Sequence, residues 1–363
     1  MQTPAVKAQA TLSRNPLDLV PAPPGFAIVQ AHIFFRHGDR APTRNLLAQY
    51  AGAAKKLGKA EAARAEAERA YWLSTMPRAE TVRALWKLFP PAFADRDGGP
   101  ALLKKSTELR PFGILTRKGL AQSEALGAAL RRQYIDDAHL LPGCYEAPAG
   151  SVLARSTAME RTVQSCQGFL RGFCGVASRA ANSTETNADG TTAIRILVET
   201  GDHALLPNFG FIRSKCPALM DQYSKLMRTS AAIAKDDAAV KPVIDALATN
   251  YPMLRSSRTP FQSMSIRAFD HFKCHSAHRL PTASGTEGML LPLKAWASSH
   301  FYRYYESSHG LMTSFVLSSV LSRMRRVAID RDASAPKVCL YSGHDTTIMP
   351  LLLSLGVVDP KTA

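Results

Sequence analysis

The apolar positions of the chain fall into short blocks whose spacing changes from one block to the next. After the stiff lead-in "PAPPG" at 21–25, the block "FAIVQAHIFF" at 26–35 alternates only loosely. It is rich in β-branched and aromatic residues, as expected of a strand buried on both faces. From Asn45 to Arg83 the character changes: "AAKKLGKAEAARAEAERAYW" at 53–72 is rich in Ala, Lys, Glu and Arg and has no apolar stripe until Tyr71 and Trp72, which predicts an exposed helix. "PPAFADRDGGPA" then reads as a loop, because its prolines and glycines punctuate the pattern. "LTRKGLAQSEALGAALRRQY" predicts a helix, with Thr116 as N-cap and Leu126, Leu130 and Tyr134 recurring on one face.

Further along, "SVLARST" at 151–157 predicts a short strand, "MERTVQSCQGFLRGF" a helix, 181–192 a polar loop and "AIRILVET" another strand. Residues 201–295 contain several prolines and no regular strand–helix alternation, which suits a helical insertion. A long helix follows, with Met312, Val316, Val320 and Met324 four residues apart as a core stripe. "KVCLYSGHDTT" is a last strand that runs into His344 and Asp345. Three or four strands separated by helices predict an α/β layer with a largely parallel sheet, and no internal repeat is present.

Composition narrows this picture only a little. A chain of 363 residues, 46% hydrophobic and 20% charged, is that of a globular protein with one large domain and an inserted or appended second one. No run approaches the length of a membrane span. The opening "MQTPAVKAQATLSRNPL" lacks the apolar core of a secretory signal. Free of acids until Asp18 and carrying Lys7 and Arg14, it has the weak character of an organelle transit peptide, though a frayed terminus explains it as well. A cytoplasmic or organellar location is therefore expected. The six cysteines form no CxxC pair and predict mostly reduced thiols.

The net charge of +16 favours acidic partners: phosphorylated metabolites or, peripherally, an anionic membrane surface. Nucleic acid is not expected, since the arginines are dispersed and no stacking motif accompanies them. The densest basic cluster, "RMRRVAIDR" at 323–331, reads as a solvated helix C-terminus.

Three of the predicted strands end in charge: Arg36, His37 and Arg40; Arg155; His344 and Asp345. In parallel sheets the carboxyl ends of strands face one crevice, so an electropositive site is expected there. Arginines form bidentate bonds to phosphate oxygens and stabilise a transferring phosphoryl group. Neutral imidazole is a nucleophile for phosphorus, and neighbouring cations keep it neutral. His37 is the candidate nucleophile, Asp345 the candidate proton donor and His344 a donor to a phosphoryl oxygen. "HDTT" opens a helix whose N-terminal amides favour the same anion.

"RHGDRAPT" followed much later by "SGHDTT" resembles the histidine acid phosphatases, branch 2 of the histidine phosphatase superfamily. The likeness extends through "LTRKGLAQSEALGAALRRQY", "VLARSTAMERTVQSCQGFLRGF" and "FDHFKCHSAHRLP", covering about residues 26–360. Within the family, "ARSTAMERT" and "LLPNF…CP" are most similar to the lysophosphatidic acid phosphatase group.

The resemblance implies a phosphoglycerate-mutase-like α/β core with a mostly parallel sheet, a helical cap and no metal or other cofactor. It makes His37 the residue that becomes phosphohistidine and Asp345 the proton donor, with Arg36, Arg40, Arg155 and His344 as the phosphate pocket. The expected organisation is a lead-in at 1–24, core segments at 25–44, 106–200 and 296–363, and cap insertions at 45–105 and 201–295. Family members usually continue past the HD helix, whereas this chain stops at Ala363, so C-terminal strands of the sheet are expected to be missing.

Other features carry less. "HFKCHSAH" gathers His271, Cys274, His275 and His278, but H-x2-C-H-x2-H is not a standard zinc spacing and no second Cys/His pair is near in sequence. A packed or pocket-lining segment is the simpler reading, with His278 in reach of substrate. "GTEG" at 285–288 reads as a turn, and Asp39 as an orienting partner for an arginine. The expected function is hydrolysis of small phosphomonoesters in acid, with lysophosphatidic acid the first choice of substrate. Inositol or sugar phosphates are the alternative substrates. The rival functions are mutase-type phosphoryl transfer and a catalytically inactive phosphate- or anionic-lipid-binding protein.

Overall fold

The computed structural model describes residues 23–47, 58–93, 111–175, 194–199, 216–255 and 259–358. Its centre is a five-stranded sheet, parallel at every pairing, of β1 (Ala31–Arg36), β2 (Pro91–Phe93), β3 (Val152–Thr157), β4 (Ile196–Glu199) and β5 (Val338–Gly343). The spatial order is β1-β5-β3-β4-β2. All six residues of β5 are buried, which is why this central strand reads as an apolar run rather than an alternation. Arg36 pairs in register with Gly343, so the residues that follow β1 and β5 leave the sheet side by side.

One face of the sheet packs on α3 (Arg117–Arg131) and α4 (Glu160–Cys174), where Phe35 stacks on Phe169 at 4.7 Å. Thr116 caps α3 as expected, its Oγ1 accepting from the Gly119 amide. α3 runs on into a π-helical stretch, Arg132–Asp137, which carries Ile135 into the same core. On the opposite face lies α8 (Leu290–Ala328), whose Val316 and Val320 meet Cys339 and Tyr341.

A second apolar cluster lies among α1 (Lys59–Thr75), α6 (Ala231–Asn250), α7 (Phe261–Ala277) and the start of α8, around Ala65, Leu247, Phe272 and Trp296. A third joins α5 (Pro217–Thr229) to the middle of α8 and to α9 (Asp345–Ser354) through Leu219, Tyr304 and Leu353.

Several expectations change at this level. The helix expected at 53–72 is present as α1 over its described residues, and a further helix, α2 (Ala79–Leu88), follows after Met76–Arg78. Trp72 is fully buried. Pro91–Phe93, read as loop, is a strand at one edge of the described sheet, a place that tolerates proline. Met324 is 44% exposed and not part of the core, because steps of four overshoot the 3.6-residue turn and rotate it off the sheet-facing side, where Arg323 lies instead. The basic cluster does sit at the end of α8, where Arg326 pairs with Asp332. All six cysteines are free. The polar loop at 181–192 and most of the lead-in lie outside the described residues.

Candidate active site

The loop after β1 is held very close to the start of α3. Gly38 is required here: a Cβ on it would lie 2.2 Å from the Gly119 carbonyl oxygen. The Gly38 amide donates to Ser165 Oγ at 3.1 Å and the Asp39 amide to Gln122 Oε1 at 2.9 Å. This packing fixes the backbone beneath His37, whose own amide extends the sheet by donating to the Gly343 carbonyl.

His37 and His344 lie edge to face, ring centroids 5.5 Å apart, on a cleft of about 330 Å³ that Arg36, Arg40, Arg161 and Asp345 also line. His37 Nδ1 sits 2.8 Å from the Gly38 carbonyl oxygen. That oxygen only accepts, so Nδ1 carries the hydrogen and Nε2 keeps its lone pair. Burial, and then the charges of Arg36, Arg161 and Arg40, push its pKa far below the ordinary imidazole value. Burial and Arg161 lower His344 to about 3, while its Nε2 lies 3.0 Å from Thr157 Oγ1. Both rings are therefore neutral in mild acid.

The structure brings Arg36, His37, Arg40, His344 and Asp345 together but not Arg155. Arg155 Nε donates to Glu199 Oε1 at 2.9 Å, and that carboxylate is buried. Arg155 also does not line the cleft. The reason is local: β3 continues through Thr157, so Arg155 is a mid-strand residue rather than an end residue. The third guanidinium in the cleft is Arg161, in the first turn of α4. Burial and the neighbouring Arg40 lower its pKa to about 10, so it remains a cation at any physiological pH.

The sequence carried a signal for Arg161. Arg161 opens the helix after β3 much as Asp345 opens the helix after β5.

Arg40 reaches the cleft with its fork already engaged. Its Nη2 and Nη1 donate to Asp270 at 2.7 and 3.2 Å, and Thr43 holds the same carboxylate through its amide and hydroxyl. The Nε atoms of Arg40 and Arg161 are buried with no hydrogen-bond partner among the described residues. Buried donors of this kind are costly unless an acceptor meets them.

Asp39 does not orient an arginine. Its carboxylate accepts from Thr116 Oγ1 and lies 2.7 Å from His278 Nε2. His278 is committed there and to the Tyr71 hydroxyl, and it does not line the cleft. Asp345, the first residue of α9, is 3.6 Å from Arg36 Nε, with its side chain 60% exposed at the cleft. Asp270 and Thr157 escaped the sequence reading because their partners, Arg40 and His344, are distant along the chain.

The profile of the histidine phosphatase superfamily (branch 2) matches residues 27–362. The chain belongs to this family. Testicular acid phosphatase of Mus musculus is 26% identical over 342 residues, covering 91% of this chain and 64% of that protein. Lysophosphatidic acid phosphatase type 6 of Homo sapiens is 25% identical over 256 residues, covering 69% and 54%. The chain thus spans between about half and two thirds of the length of these relatives.

Among solved structures, the phytase from Citrobacter braakii superposes with a TM-score of 0.51 at 14% identity, covering 91% of this chain and 76% of that one. A Klebsiella phytase gives 0.50 at 15%, covering 92% and 72%. These likenesses show that the fold is the family's. No helix among the described residues is long and apolar enough to cross a membrane.

Proposed function

We propose that the chain is an acid phosphatase that hydrolyses phosphomonoesters through a phosphohistidine at His37. The observation that carries this is the state of His37: Nδ1 tied to the Gly38 carbonyl, Nε2 free, and three guanidiniums around the same cleft. The phosphoryl oxygens are held by Arg36, Arg161, His344 and the free Nε of Arg40. Nε2 forms a bond to phosphorus as the ester P–O bond breaks, and the Asp345 carboxyl gives its proton to the leaving oxygen. Water then attacks phosphorus and gives a proton to the Asp345 carboxylate as the N–P bond breaks, which releases phosphate and restores the neutral imidazole and the acid form of Asp345. No step uses a metal or cofactor. Because the donor must be in its acid form, the rate falls as pH rises.

The substrate class follows from the cleft's outer wall. Met159, Ile266, Phe269 and Phe301 form the apolar part of its lining, which also includes Lys273. A monoester with an apolar or acyl-bearing leaving group fits this wall better than a polyanion such as an inositol polyphosphate, so lysophosphatidic acid is the preferred substrate. Such a substrate would be met at an anionic membrane surface, to which the net charge of +16 is suited.

The test is hydrolysis of an aryl phosphate from pH 4 to 8 by the wild type and His37→Ala, followed by kcat/KM for lysophosphatidic acid against an inositol phosphate. Activity that peaks in acid, disappears in the variant and favours the lipid is expected. A cooperatively melting protein that binds phosphate without turnover would replace this reading with that of an inactive binding protein.

A further inference from the structure

Away from the cleft, a second group of ionisable side chains is buried with no role in the chemistry above. His271 and His275 are four residues apart on α7 and so share one face of it. Glu68 of α1 meets them from 203 and 207 residues upstream: its Oε1 lies 3.5 Å from His271 Nδ1 and 3.2 Å from His275 Nε2. One ligand atom from each of the three residues lies within 4.8 Å of the others, and all three side chains are buried. A tetrahedral ion bound at about 2.0–2.1 Å separates its ligand atoms by about 3.4 Å. Both carboxylate-to-imidazole separations are already close to that.

Two further observations distinguish the group from an ordinary polar cluster. His271 is fully buried, yet neither ring nitrogen has a hydrogen-bond partner among the described residues. An imidazole always has one N–H and one lone pair, so this arrangement is costly unless something binds there. The surroundings also match those of metal ligands. The second nitrogen of His275, Nδ1, is 3.4 Å from the Pro281 carbonyl oxygen, and Trp72 Nε1 donates to Glu68 Oε1 at 3.3 Å. Such outer contacts fix a ligand's tautomer and orientation.

We propose that Glu68, His271 and His275 form a divalent transition-metal site, of zinc type, that staples α1 to α7. Two imidazoles and one carboxylate are the donor set of zinc and its neighbours rather than of calcium or magnesium. All three residues also line a cavity of about 270 Å³ together with Tyr71, Tyr251 and Pro281, which leaves room for a further ligand. The site lies outside the reaction. It acts by fixing α7, which presents Asp270, the neighbour of His271 in the chain, to Arg40.

The test uses the untagged full chain, stripped with chelator and titrated with Co2+ and then Zn2+. One equivalent of Co2+ is expected to give visible d–d bands without a thiolate charge-transfer band, and Zn2+ to displace it and raise Tm by several degrees. Glu68→Gln and the double variant His271→Asn/His275→Gln are expected to weaken binding by more than about 100-fold. A wild type that takes up neither ion at 100-fold excess overturns the proposal, whatever the variants do. So does undiminished binding in a variant that still melts cooperatively.

Discussion

The molecule buries two pairs of histidines and surrounds them with opposite charge. At the strand ends, His37 and His344 sit among Arg36, Arg40 and Arg161; of the acids on that cleft, Asp270 is engaged by Arg40 and Asp345 is largely exposed. Between α1 and α7, His271 and His275 face the buried Glu68. The side-chain type is the same, but the first set leaves donors without acceptors and so suits an anion. The second brings lone pairs and a carboxylate together and so suits a cation. What a buried histidine can do is decided by its neighbours, and those neighbours arrive from remote parts of the chain.

The largest effect separating the two clusters is expected from His37→Ala. Loss of the proposed nucleophile should cut phosphatase turnover by at least about 10⁴-fold while leaving Co2+ uptake unchanged. Residual activity near wild type in a stopped assay would show that another group attacks phosphorus.

Arg161 and Arg155 make the next contrast. Arg161→Ala should lower kcat/KM by about 10²–10³-fold through lost charge stabilisation. Arg155→Ala should leave kcat/KM within about threefold, yet cost about 3 kcal/mol of stability by breaking its ion pair with the buried Glu199 carboxylate. Steady-state kinetics beside denaturant melts reads both, and equal kinetic losses would put Arg155 back in the pocket.

Asp270→Asn tests the link between the two regions. Removing the acceptor of the Arg40 fork is expected to cost about 3 kcal/mol and to raise KM more than it lowers kcat. A smaller effect comes from pH. His344 drops from an ordinary 6.5 to about 3 on folding, so the unfolded chain takes up its proton first. Stability is therefore full above pH 6.5 and falls as pH drops, by about 2 kcal/mol between pH 7 and 5 for this residue alone. Urea melts of wild type and His344→Asn should differ in that slope, and parallel slopes would mean that His344 is protonated in the fold.

Much of this arrangement could be read from the chain. The strands at 31–36, 152–157 and 338–343 have the apolar runs of a buried parallel sheet, and Thr116 announces the start of α3. "RHGDR" and "GHD" stand where strands end, so five of six site residues reached the cleft. Arg155 did not, because a strand's last residue is set by pairing with its neighbours, and β3 pairs two residues beyond it. Pro91–Phe93 was equally hidden: three residues become a strand only because β4 offers an edge. "HFKCHSAH" showed two ligands and concealed the third, since Glu68 lies about two hundred residues earlier among exposed-looking helix charges. Asp39 was given an arginine when its partner is His278, for the same reason.

The long helix α8 carries a consequence of another kind. Over its 39 residues, about 58 Å at the usual rise, it contributes Leu293 and Trp296 to one apolar cluster and Val316 and Val320 to the sheet. A rod that belongs to both cannot unfold in one place and stay whole in the other without exposing half of its buried face. Heating should therefore give a single calorimetric transition, and the regions around the cleft are tied into one thermodynamic unit. Substrate exchange is then not expected to need the helical cluster around Trp296 to hinge away from the sheet.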